Sequence, residues 1–117
     1  MSTPRNLRVA QSIKREMADL ILRGIKDARI SGIVSVTDVE CSTDCRRARI
    51  FVSVFGEEEQ QQNTLEALND HAGEIRGELC RRLQLRFAPD VSFKLDDSLE
   101  RGAKVSALIN KISRGEI

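Results

Sequence analysis

Ala48, Ile50, Val52 and Val54 occupy alternate positions of one run, with Arg47, Arg49, Phe51, Ser53 and Phe55 between them. Side chains alternate sides along a strand, so residues 46–55 read as a strand with one apolar and one mostly polar face. Such a strand needs a cover on one side only. The preceding stretch, residues 33–40, is rich in β-branched residues and reads as its partner strand. Ser42-Thr43-Asp44 is a turn signal, and the short link predicts a hairpin.

Helical periodicity on either side supplies the cover. In residues 5–27, Ala10, Ile13, Met17, Leu20, Ile21 and Ile25 recur at spacings of three and four, after Pro4 at a position suited to a first turn. Residues 56–62 read as a polar connection, with Asn63 or Thr64 as the cap of the next helix. Residues 64–85 repeat Leu65, Leu68, Ala72, Ile75, Leu79 and Leu83, with a break expected around residues 69–73. Val91, Phe93 and Leu95 alternate as a third strand, and residues 103–112 suit a short closing helix. The order is α-β-β-α-α-β plus a C-terminal helix, an α+β layer architecture. With 117 residues, one domain is expected: a tail at 1–4, a core domain at 5–98, and a closing helix and tail at 99–117.

Catalytic chemistry finds little support. The single histidine, His71, lies nine residues from Cys80, about 180° away on a continuous helix. No acid, base and nucleophile set is present, so no catalytic residue and no enzyme are expected. Cys41 and Cys45 have zinc-like spacing but lack a second close pair, so three reduced thiols and no metal are expected. Gly-rich phosphate loops are absent, and no cofactor is implied. No apolar run is long enough for a membrane helix or follows the N-terminus as a secretory signal, so a cytoplasmic protein is expected.

Nucleic-acid binding fits better. Residues 1–30 carry seven Arg or Lys and three acids, although the whole chain is only +1. On a wheel for the first helix, Arg8, Arg15 and Lys26 fall at about 200–220° from Ile13 and Arg5 and Arg23 at about 280°, on the face opposite the apolar stripe, where they can face phosphate. Arg46, Arg47 and Arg49 at the hairpin, and Arg76, Arg81, Arg82 and Arg86 on the later helix, form further basic sets, Arg86 being also a candidate for pairing within the fold. An RNA-recognition motif fails, since the glycine after Arg49 and a partner aromatic strand are missing, and Phe51 and Phe55 read as core or edge residues. A K-homology arrangement fits the helix-break-helix-strand order but lacks Gly-x-x-Gly.

Several segments together carry a resemblance. They are Arg8-Val9-Ala10, Ile25-Lys26-Asp27-Ala28-Arg29, residues 36–44, residues 48–54, Gly73-Glu74-Ile75-Arg76 and residues 85–98. In that order and spacing the chain resembles the ribosome-binding factor A family, bacterial and organellar assembly factors of the small ribosomal subunit. The resemblance spans about residues 5–112, with Ala28 where the family usually shows proline and His71 where its interhelical Ala-x-Gly begins. It implies a type II K-homology (KH-like) fold. It also implies a non-catalytic factor that binds 16S rRNA in free 30S subunits or their precursors during late maturation, with an assembly GTPase assisting release. Ala72, Gly73 and Arg76 are carried over as RNA-proximal; Arg8, Arg15, Lys26, Arg46, Arg47, Arg81 and Arg82 join them from the residue reading. A monomer is expected. The alternative is a protein-interaction module that docks on a ribosomal protein or GTPase without touching RNA, which the near-neutral charge and Glu57-Glu58-Glu59 favour.

Overall fold

The computed structural model describes residues 4–23, 25–30 and 33–96. Within them the order is α1 (Arg5–Arg23), β1 (Val34–Cys41), β2 (Arg47–Val54), α2 (Glu58–Asp70), α3 (Ala72–Leu83) and β3 (Asp90–Leu95). The expected order holds through β3, and the expected helix at 103–112 lies outside the described residues.

The strands form one sheet in the order β1-β2-β3. β1 and β2 pair antiparallel as a hairpin, and β3 joins β2 in parallel. A parallel partner needs a long crossover, which α2 and α3 provide. Ala48, Ile50, Val52 and Val54 are all buried, as the alternation requires. They meet Ala10, Ile13, Met17 and Leu20 of α1, Leu68 of α2, Ile75 and Leu79 of α3, and Phe93 of β3 in one core. The three helices among the described residues therefore cover the same face, leaving Arg47, Arg49, Ser92 and Lys94 exposed on the other.

The parity of β1 changes along its length. Val34 and Val36 pair with Val54 and Val52, whereas Val39 and Cys41 pair with Ile50 and Ala48. A bulge between Val36 and Asp38 absorbs the odd residue, Thr37, whose hydroxyl donates to the Phe51 carbonyl at 3.3 Å. Without it, a one-residue slip would turn one set of valines outward.

Three expectations are corrected. α1 ends at Arg23 rather than 27; the sequence places Gly24, a poor helix former, directly after it. The Ile25 amide then donates back to the Leu20 carbonyl at 3.2 Å, and Ala28-Arg29 forms a turn closed by the Ile30 amide on Asp27. Residues 58–62 are not a polar connection but the first turns of α2. Glu57 and Gln60 close a capping box, and Glu58 and Glu59 sit where the helix dipole favours acids. Thr64 is accordingly no cap: it is fully buried and its hydroxyl donates to the Arg29 carbonyl at 3.2 Å.

The expected break between the second and third helices is a single residue. His71 ends α2 and begins α3, with φ −91° and ψ 6°. Its amide reaches the Ala67 carbonyl and its carbonyl accepts from Ile75, so helical bonding continues around the bend. The Asn69 side chain donates to the Phe93 carbonyl and accepts from the Phe93 amide, occupying polar groups on the outer edge of β3.

Candidate nucleic-acid interface

The start of α1, the β1–β2 turn and the α3–β3 loop meet at one end of the molecule. Asn6 donates to the Cys41 carbonyl at 3.3 Å, bringing the first turn of α1 to the hairpin. Arg5, Arg8 and Ser12 line a groove with Leu83 and Leu85 at the end of α3. The Asp90 amide donates to the Arg46 carbonyl at 2.8 Å, joining turn to loop. This end therefore gathers Arg5, Arg8, Arg46, Arg47 and Arg86, all exposed and none in an ion pair with a carboxylate among the described residues. Arg15 continues the exposed face of α1 beyond Arg8.

The turn and loop are fixed by their own bonds. Asp44 accepts from the Ser42 hydroxyl at 2.7 Å and the Arg46 amide at 3.0 Å, which lowers its pKa below the usual carboxylate range. Cys45 takes φ 60°, a left-handed conformation that turns the chain into β2. On the α3 side, Gln84 is left-handed, and the Leu85 amide returns to the Cys80 carbonyl.

The other sequence-selected arginines have work inside the fold. Arg76 directs two donors to the Ala88 carbonyl, at 3.1 and 3.0 Å, and lies 3.4 Å from Asp90. It fastens the α3–β3 loop. Arg82 meets Glu16, Asp19 and Glu78 at 3.2, 2.8 and 2.9 Å, so its guanidinium ties α3 to α1. Arg81 pairs with Glu78 but stays largely exposed. Lys26 lies beyond the end of α1, so its helical alignment with Arg8 and Arg15 does not hold.

Ala72 and Gly73 open α3 at the bend, in an acidic setting. His71 lies between two carboxylates, 3.0 Å from Asp27 and 3.3 Å from Glu74, and they raise its pKa. Asp27 is held well below the carboxylate range, chiefly by hydrogen bonds from the Arg29 side chain and amide. Arg29 also reaches Asp70 at 2.7 Å and Glu66 at 3.8 Å. Four carboxylates thus surround one arginine and one histidine. Gly73 and Gly77 lie one turn apart on the exposed face of α3, and a Cβ at either position would meet nothing within 4 Å.

Arg5 and Arg86 stand among the basic residues legible in the sequence, whereas Phe87 carries no expected role there. Phe87 is 58% exposed rather than part of a core. The signal available was its place in Leu85-Arg86-Phe87-Ala88-Pro89, outside any helical or alternating pattern. The clip between His71 and Asp27 had none, because the partners are 44 positions apart. Cys41, Cys45 and Cys80 are free thiols, and burial pushes Cys41 up to about 11. Among the described residues, no three His, Cys, Asp or Glu side chains are grouped to hold a metal, and no helix is long and apolar enough to cross a membrane.

Comparison with known proteins gives one consistent result. Residues 5–109 match the protein-family model described as ribosome-binding factor A. A ribosome-binding factor A from Gloeobacter violaceus is 49% identical over 118 residues, covering 99% of this chain and 92% of that protein. One from Acetivibrio thermocellus is 47% identical over 106 residues, covering 91% and 86%. The crystal structure of the Thermus thermophilus factor superposes with a TM-score of 0.66 at 24% identity, covering 77% of this chain and 94% of that one. A homology model of the Thermus thermophilus factor, fitted into a cryo-EM map of a 30S complex, gives 0.62 at 27% identity, covering 75% and 91%.

Proposed function

The chain belongs to the ribosome-binding factor A family and has its KH-like fold, and from that premise we propose that it binds the small ribosomal subunit as a non-catalytic assembly factor. It acts on free 30S subunits or their precursors during late maturation and contacts 16S rRNA directly. The observation that carries the RNA contact is the arginine-rich end. Arg5, Arg8, Arg46, Arg47 and Arg86 converge there from three separate segments, and none of their side chains forms an ion pair among the described residues. Guanidinium forks suit phosphate, and each neutralised phosphate releases counterions. The 30S complex of the Thermus thermophilus factor supports the choice of subunit.

Arg76 and Arg82 serve this reading as positioning residues. The acidic bend disfavours phosphate at Ala72 and Gly73, which makes their role one of close backbone approach rather than charge. The alternative, docking on protein alone, draws on the acidic bend and the Glu57–Glu59 turn.

Sedimentation of cell extract through a sucrose gradient tests the proposal. The protein is expected with free small subunits and absent from 70S ribosomes and polysomes. Retention at the top of the gradient at low salt would overturn subunit binding.

A further inference from the structure

We propose that Phe87 is a stacking platform for an unpaired nucleobase of RNA, with Arg46 and Arg86 holding the adjoining phosphates. The inference rests on the RNA contact proposed above and names the feature of RNA that this site reads.

Three observations converge. Phe87 is 58% exposed on a protein with no Trp, no Tyr and only four Phe. The guanidiniums of Arg46 and Arg86 lie 5.4 and 5.9 Å from its centroid, near the outer limit of cation–π attraction, so both are loosely held. A base can take one ring face and send that guanidinium to the phosphate beside it. Finally, the platform is built rigidly. Arg76 holds the neighbouring Ala88 carbonyl with two hydrogen bonds, Pro89 is fully buried, and the Cys80 thiol donates to the Leu85 carbonyl at 3.4 Å. Arg46 is fixed through both its amide and its carbonyl. Pre-ordering lowers the entropy lost on binding.

The chemistry selects the partner. An aromatic ring flanked by two cations suits a π-faced anion, and single-stranded nucleic acid offers a base and a phosphate at that spacing. A duplex keeps its bases stacked on one another and offers the ring no face.

Phe87→Trp tests this directly, because it introduces the sole indole of the protein. The full chain carrying it is titrated with an unstructured octanucleotide RNA, a blunt RNA duplex and inorganic polyphosphate. Quenching by the octanucleotide, but not by the duplex or polyphosphate, is expected. Phe87→Leu should weaken octanucleotide binding about tenfold, in the range of one base–aromatic stack removed, and weaken binding to purified small subunits in parallel. The exposed position makes unfolding an unexpected complication, and circular dichroism checks it. Equal quenching by polyphosphate would overturn the proposal, leaving a phosphate contact only. So would weakened subunit binding without octanucleotide quenching, which would make Phe87 a protein contact. Wild-type subunit binding by Phe87→Leu would remove the platform while leaving the assembly-factor reading intact; failure of the wild-type chain to bind subunits would instead remove that reading.

Discussion

His71 shows how one side chain joins distant parts of this chain. Its two ring nitrogens face Asp27, from the segment after α1, and Glu74, in the first turn of α3. Both carboxylates favour the imidazolium, so the folded pKa lies above the unfolded one, about 6.5. The proton-linked contribution to stability is complete below the unfolded value and is lost as pH rises through the folded value. Asp27 has the opposite sign: its folded pKa is depressed, so its contribution is present above the unfolded value, about 3.9, and lost as pH falls toward the folded one. The clip is therefore most stabilising between about pH 4 and about pH 6.5. Thermal unfolding followed from about pH 6 to about pH 8.5 should show a decline that His71→Gln flattens; identical slopes in both proteins would remove the clip. From sequence, His71 falls within the expected break at residues 69–73, and no spacing rule connects it to Asp27. The arginines show the same limit. Their surplus was legible, but which of them would be consumed by Glu16, Asp19, Glu78 or the Ala88 carbonyl depends on packing between helices distant in sequence.

At the scale of the element, periodicity carried the fold. The alternation in β2 and the apolar stripe of α1 are local patterns, and both were readable residue by residue. The start of α2 was not. Glu57-Glu58-Glu59 followed by three glutamines resembles solvated linker in composition, but the reciprocal Glu57–Gln60 bonds make it a helix start. The β1 bulge left a visible trace in the shift from Val34 and Val36 to Val39. α3 carries a more telling irregularity. Gly77 interrupts a helix that has nothing against it at that position. Alanine there fits the helical backbone and should raise stability by about 0.5–1 kcal/mol, read from chemical denaturation. The same variant should bind small subunits more weakly if a partner backbone passes over Gly73 and Gly77. Stabilisation with unchanged subunit binding would place that face of α3 outside the interface.

For the molecule as a whole, near-neutral net charge conceals two unlike ends. The hairpin end holds five arginines whose side chains make no ion pair among the described residues, with Asp44 beside Arg46 in the turn, and the bend holds Asp27, Glu66, Asp70 and Glu74 around Arg29 and His71. The total of +1 therefore says nothing about binding, whereas its separation sets an orientation on an anionic surface. In the function proposed above, the arginine-rich end faces 16S rRNA. The most direct measurement is the affinity of the full chain for purified small subunits across a salt series, in the parent protein and in two charge variants. Arg8→Glu with Arg47→Glu should weaken binding steeply and flatten the log–log salt dependence by about 0.7–0.9 for each phosphate no longer neutralised. Glu66→Gln, at the bend, should leave both affinity and slope nearly unchanged. The reverse pattern, with the arginine variant binding as the parent does and the bend variant impaired, would overturn the proposed contact and turn the molecule end for end on its subunit.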